Sequence, residues 1–215
     1  MAEAKIDFKK TLDSYRATRG AFRILDVPDM RYLMLDGHGD PNVSPLFAAS
    51  IETLYPVAYT LKFAARRELG RDHVVPPLEG LWWSDEMDSF TVNRDKSRWQ
   101  WTLMIMVPDW IDDAAMAAAV AAVRAKGAPP RLDDVRVELL AEGRCVQTLH
   151  VGSFDDEADV LARLHDEFIP GEGLTMVGRH HEIYLSDFRR TAAHRLRTIL
   201  RQPVAAVGPL TPVVP

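Results

Sequence analysis

Toward the C-terminal end the chain reads Arg179-His180-His181-Glu182-Ile183-Tyr184-Leu185, a run in which ionisable and apolar residues interleave. Side chains of an extended strand alternate between faces, so His180, Glu182 and Tyr184 share one face while His181, Ile183 and Leu185 share the other. Exposed to water, the first set is an ordinary polar row. Taken out of water, the Glu182 carboxyl would bind its proton more tightly. It could then give or take a proton near neutral pH, with Tyr184 supplying an oriented hydroxyl, or balance the charge of a cationic ligand. No metal site is expected. The adjacent histidines point oppositely, which leaves only His180 and Glu182 on one side, fewer ligands than a catalytic zinc needs.

What this row faces is suggested by the tryptophans. All five fall between Trp82 and Trp110. On strands, Trp82 and Trp83 point to opposite sides, whereas Trp99 and Trp101 share one. If helices cover one face of an antiparallel sheet, the other is free to line a pocket, and indoles there would form a cage for a flat or cationic ligand. Each aromatic contact would contribute roughly 0.5–2 kcal/mol. The alternative is that the indoles fill a large core.

These residues need elements to hold them. Met30 to Leu35 reads as a strand, ending in the glycine-containing turn Asp36-Gly37-His38-Gly39-Asp40-Pro41, which is read as a turn and nothing more. A helix follows, with Ser44 as its cap, Pro45 in its first position, and Phe47, Ile51, Leu54, Ala58, Leu61 and Ala65 at helical spacing. Pro56 removes one hydrogen bond from it and predicts a bend near Tyr55. Leu78 to Trp83 and Trp99 to Val107 make a hairpin; Asp112 caps an alanine-rich helix through Lys126; Gly127-Ala128-Pro129-Pro130 is the linker. The order then returns: strands near Val135–Leu140 and Arg144–Val151, a helix carrying Val160, Leu161, Leu164 and Phe168, and a strand from His180 to Leu185. Both halves show a strand leading to Gly-x-x-Asp and then a helix, so the fold class is α+β, built from two strand–helix–strand–strand halves. The proline density from Pro203 onward predicts a tail or strap without regular structure.

Bulk properties narrow the partners. With 215 residues, 47% of them apolar, the chain can bury a full core. A net charge of −5 argues against a general nucleic-acid or membrane-binding surface. The start lacks a basic-then-apolar signal and no run reaches the ~20 apolar residues of a membrane span, so a cytoplasmic protein is expected. Cys145, the single cysteine, reads as a small buried hydrophobe. Nucleophile elbows, phosphate-binding glycine loops, His-Glu-x-x-His and dinucleotide fingerprints are all missing, and no cofactor is expected.

Several stretches together resemble the GyrI-like small-molecule-binding family, in the stand-alone branch that includes cyclopropanoid cyclopropyl hydrolases. They are Ile24-Leu25-Asp26-Val27-Pro28, Leu33 through Asn42, Leu54-Tyr55-Pro56-Val57-Ala58-Tyr59-Thr60, Pro77 through Trp83, Trp101-Thr102-Leu103-Met104-Ile105, Glu142 through Gln147, and His180 through Arg190. The resemblance implies duplicated βαββ halves forming one antiparallel sheet, with helices on one face and a ligand groove between the halves. It places a lead at 1–23, the small-molecule-binding domain at 24–205 (halves about 24–126 and 131–205) and a proline-rich tail at 206–215. It implies a protein that binds hydrophobic or cationic aromatic xenobiotics and hydrolyses cyclopropane-bearing DNA-alkylating agents. The alternative is a non-catalytic multidrug-binding or sequestration protein. Carried over by position, the cage draws on Tyr55, Trp82, Trp83, Trp101 and Tyr184, with His180 beside them and Glu182 as the acidic group. Phe188 stands where the branch usually has proline, and Ala193-His194 replaces Pro-Glu, so the loop after Glu182 is shaped differently. About two dozen residues precede Ile24, too few for a helix-turn-helix with its own core, so direct DNA binding is not expected. A monomer and a homodimer both satisfy the sequence.

Overall fold

The computed structural model describes residues 5–84 and 95–208. Its strands are β1 (Arg23–Val27), β2 (Met30–His38), β3 (Leu78–Trp83), β4 (Gln100–Val107), β5 (Arg136–Leu140), β6 (Gly143–Val151), β7 (Leu174–Met176), β8 (His180–Tyr184) and β9 (Arg197–Ala206). The helices are α1 (Phe8–Thr11), α2 (Pro45–Ala64), α3 (Asp113–Ala125), α4 (Ala158–Ala162) and α5 (Ile169–Gly171). Pairing is antiparallel throughout, in the order β1-β6-β9-β8-β3-β4-β2-β5, with β7 added on β9. The order reads the same from either end. Strands β2, β3 and β4 of the first half correspond to β6, β8 and β9 of the second, and the halves join where β3 pairs with β8. Each half also lends a flanking strand to the other: β1 pairs with β6, and β5 with β2.

The α2 periodicity explains its burial. Phe47, Ile51, Leu54, Ala58, Leu61 and Ala65 are all buried against Leu33 and Leu35 of β2 and Leu103 and Ile105 of β4. Each fully buried aliphatic side chain contributes about 1.5–3 kcal/mol. Pro45 occupies the first turn, but the Ser44 hydroxyl bonds the His38 carbonyl at 3.4 Å instead of capping the helix. The helix runs through Pro56, whose missing N–H leaves the Glu52 carbonyl without its helical donor. Asp112 does cap α3, its carboxylate accepting the Ala115 N–H at 2.8 Å. In the second half α4 continues through a wide π turn, Arg163–Phe168, into α5, and this unit packs Leu164 and Ile169 on Val146 and Val204.

Register shows that both helical layers lie on one face of the sheet. Leu35, Leu103, Gly80, Glu182, Leu200 and Thr148 are cross-strand partners in one continuous row, and partners share a face. The other face is not bare: Tyr15, with Phe8, Leu12 and Ala17 of the N-terminal lead, covers Tyr32, Met104, Ile183 and Ile199 there.

The expectation of irregular structure from Pro203 onward is corrected. β9 passes through Pro203, which pairs with Cys145 of β6. On its other edge β9 pairs with β8 as far as Arg201 and with β7 from Val204, so proline falls in the gap where no ladder donor is required. Its carbonyl accepts the Val177 N–H at 2.9 Å. Of the expected tail, 209–215 lie outside the described residues.

Candidate functional site

Glu182 and Tyr184 lie at the joint between the halves. On the helix-bearing face, β3 presents Leu78, Gly80 and Trp82, and β8 presents His180, Glu182 and Tyr184. The α2–α3 layer lies to one side and the α4–α5 unit to the other. The Trp82 indole N–H donates to the Tyr184 hydroxyl oxygen at 3.1 Å, and that hydroxyl donates to Glu182 Oε2 at 2.8 Å. Gly80 makes this chain possible. A Cβ there would stand 2.8 Å from Trp82 Nε1 and 3.1 Å from the Tyr184 oxygen, closer than these rigid rings tolerate.

Burial dominates the electrostatics. The Glu182 side chain is 14% exposed. Loss of water raises its proton affinity to a pKa of about 7, against the lowering effects of the Tyr184 hydroxyl, His181 and Lys96. Burial also pushes His180 down to about 3, assisted by His165 and His181, so its ring is neutral at pH 7. The Tyr184 phenol is held well above its ordinary range by burial and by Glu182, and it remains a donor.

A cavity of about 450 Å³ opens beside Tyr184, walled by Tyr55, Tyr59, Leu78, Phe188 and the Asp187–Arg190 loop. The Arg189 guanidinium lies 5.4 Å from the Tyr55 ring centroid. Phe188 stacks edge-on against Tyr184 at 5.8 Å and against Phe154 at 5.9 Å. Phe188 thus gives the cavity wall an aromatic ring, which proline would not.

Of the residues singled out in the sequence, Tyr55 and Tyr184 line the cavity, and Glu182 stands one hydrogen bond behind Tyr184. Trp82 and Trp101 share the helix-bearing face, not a helix-free one, and both are packed. Trp101 is fully buried edge-on to Phe47 at 5.2 Å, and Trp82 is 5% exposed. Trp83 lies on the opposite face, with the Arg179 guanidinium 3.6 Å from its ring centroid. Strand alternation separates it from the cavity. Tyr59, Phe154 and His165 were not singled out, although Tyr59 follows Tyr55 by one helical turn.

On the far face, directly behind the joint, His181 bridges Glu79 and Glu142 at 2.9 Å each, and Arg201 pairs with Glu142 at 2.7 Å. Tyr15 donates to Glu79 at 2.5 Å, and Arg201 donates to the Ser14 carbonyl at 2.6 Å. Burial alone would raise Glu142; His181 and Arg201 outweigh it and hold the carboxyl at about 2. Cys145 is fully buried, its thiol pushed up to about 12 by burial and then by Glu142. Among the described residues no group of three or more His, Cys, Asp or Glu side chains is placed to hold a metal ion, and no helix is long and apolar enough to cross a membrane.

A family model, the GyrI-like small molecule binding domain, matches residues 21–205. The chain belongs to the GyrI-like family. Solved structures share the fold over most of the described chain. An uncharacterized conserved protein from Listeria innocua superposes with a TM-score of 0.85 at 37% identity, over 94% of this chain and 100% of that one. A hydrolase from Listeria innocua superposes with a TM-score of 0.81 at 35% identity and the same coverage. The C-terminal domain of EcmrR, at 10% identity and a TM-score of 0.53 over 87% of this chain and 98% of that one, shares the fold alone. No curated protein matches the chain.

Proposed function

We propose that this GyrI-like protein binds hydrophobic, aromatic or cationic xenobiotics in the cavity beside Tyr184. We further propose that Glu182 serves there as acid and base in hydrolysing strained electrophiles, with cyclopropane-bearing DNA-alkylating agents as the substrate class and the cytoplasm as the setting. The observation that carries this reading is a buried carboxyl poised near neutrality and hydrogen-bonded to a tyrosine in the wall of a 450 Å³ aromatic cavity. That a Listeria relative with 35% identity is described as a hydrolase supports it.

In the proposed step, a water oxygen bonds to a ring carbon of the ligand while one of its protons passes to the Tyr184 hydroxyl, which gives its own to ionised Glu182. The electron pair of the breaking ring bond moves into the conjugated system of the ligand and is protonated from solvent, Glu182 releases the proton it took, and the net change is addition of one water. Tyr184 holds Oε2, and the aromatic walls favour the positive charge that develops at the carbon. Incubating purified protein with a cyclopropane-bearing alkylator and following the mass of the product tests this. The product should be heavier by one water, and Glu182→Gln should slow its formation by about 10²-fold or more. Undiminished turnover in that variant would remove Glu182 from the mechanism. Tight binding with unaltered ligand recovered would leave sequestration as the function for that compound.

A further inference from the structure

Beyond Glu182, at the end of the joint away from the cavity, two imidazoles meet. His180 opens β8 and His165 sits in the π turn Arg163–Phe168; their rings cross edge to face at 84°, centroids 5.8 Å apart. Single-turn π segments recur at functional sites. Both nitrogens of His180 and Nε2 of His165 are buried without a hydrogen-bond partner among the described residues. The Glu182 carboxylate is near, but its Oε1 stands 3.7 Å from His180 Nε2, too far for a direct bond. Buried polar atoms are almost always paired, by ordered water where the protein supplies no partner. Neither histidine lines the 450 Å³ cavity, so what pairs with them is small. The absence of any three-ligand cluster among the described residues argues for water over a metal ion.

We propose that ordered water bridges Glu182 Oε1 to His180 Nε2, and that His180, with His165 behind it, relays the proton of Glu182 to solvent. Geometry gives the relay its purpose. A ligand in the cavity covers Tyr184 and with it the cavity side of the carboxyl, whereas Oε1 faces His180, which does not line the cavity, so the proton taken from water leaves on that side. No net redox or bond change is involved. Glu182 gives its proton to the bridging water, that water gives one to the acceptor nitrogen of the His180 ring, the opposite ring nitrogen gives its own through a second water to Nε2 of His165, and His165 Nδ1 passes one on to solvent, leaving both rings as their other tautomers. The relay rests on Glu182 being the acid/base group, but it can be tested without turnover.

The experiment has two arms. A high-resolution crystal structure of the free protein should show water within hydrogen-bond reach of both His180 Nε2 and Glu182 Oε1; an empty or apolar-filled position overturns the proposal. In the second arm, ethidium fills the cavity near pH 6, and infrared spectroscopy follows exchange of the protonated Glu182 carboxyl after transfer to heavy water. The Glu182→Gln difference spectrum assigns the band. His180→Phe should slow exchange by about tenfold or more, and His180→Gln, which can still hold a water, should recover part of the rate. Equal rates in His180→Phe and the parent protein overturn the relay. If ethidium does not bind, the same comparison is made with tetraphenylphosphonium. If the exchange result holds and no alkylator is hydrolysed, the proposed chemistry fails and the relay stands.

Discussion

Replacing Glu182 by glutamine should stabilise the protein, and by an amount that depends on pH. The folded chain holds this carboxyl at a pKa of about 7, against an ordinary value of 4.5, mainly because burial opposes its ionisation. Below pH 4.5 both folded and unfolded forms keep the proton, and the residue carries no penalty. Between 4.5 and about 7 the unfolded chain releases its proton while the folded chain retains it, so stability falls as pH rises; above 7 both are ionised and the cost is complete. The displacement from 4.5 to about 7 corresponds to about 3 kcal/mol. Glutamine keeps the shape and still offers an oxygen to the Tyr184 hydroxyl, yet it never ionises. Urea unfolding of both proteins from about pH 4.5 to 8 should give nearly equal stabilities at the acid end. The variant should gain by about 3 kcal/mol at the alkaline end, with most of the change between pH 5 and 7. His180, displaced downward to about 3, weakens the fold as pH falls below 6.5, but it does so in both proteins and largely cancels in the difference. A difference that is flat with pH, or a variant less stable at every pH, would refute a carboxyl strained by burial.

Removing the Tyr184 hydroxyl in Tyr184→Phe takes a donor from the Glu182 carboxylate, so its midpoint should climb further above 7, by about 1–2 pH units, in a carbon-13 titration of labelled glutamate. Gly37→Ala would set a Cβ 2.0 Å from the buried Trp101 ring; urea unfolding should show a loss of at least about 1–3 kcal/mol, with a changed near-ultraviolet dichroism of the indole. Glu142→Gln leaves His181 and Arg201 short of an anion in a fully buried cluster and should cost about 3–5 kcal/mol. Because Glu142 is held down at about 2, its contribution is present above 4.5 and lost as pH falls toward 2, so parent and variant should converge in acid.

Local pattern was enough for the elements whose periodicity is strong. The apolar spacing from Phe47 to Ala65 determined α2 and its buried face, and alternation in His180–Tyr184 determined that Glu182 and Tyr184 point together, because both are consequences of backbone geometry alone. β1 and β9 carried weaker signals. Arg23–Val27 and Arg197–Ala206 become strands because β6 stands between them and pairs with both, a contact between segments more than a hundred residues apart for β1. Pro203 argued locally against a strand and was overruled by a gap in pairing that no local pattern contains.

The site divides in the same way. Residue types and spacing determined which side chains could handle a proton. Only the tertiary structure decided what surrounds them: that both sheet faces are covered, that Trp82 and Trp101 are packed as core, and that Trp83 lies behind the sheet. It also decided that Tyr55, Tyr59 and Phe188 wall the cavity, and that Glu182 is buried deeply enough to hold its proton near pH 7. Orientation along a strand is set by the strand itself, whereas burial and pKa are set by whatever the rest of the chain brings alongside.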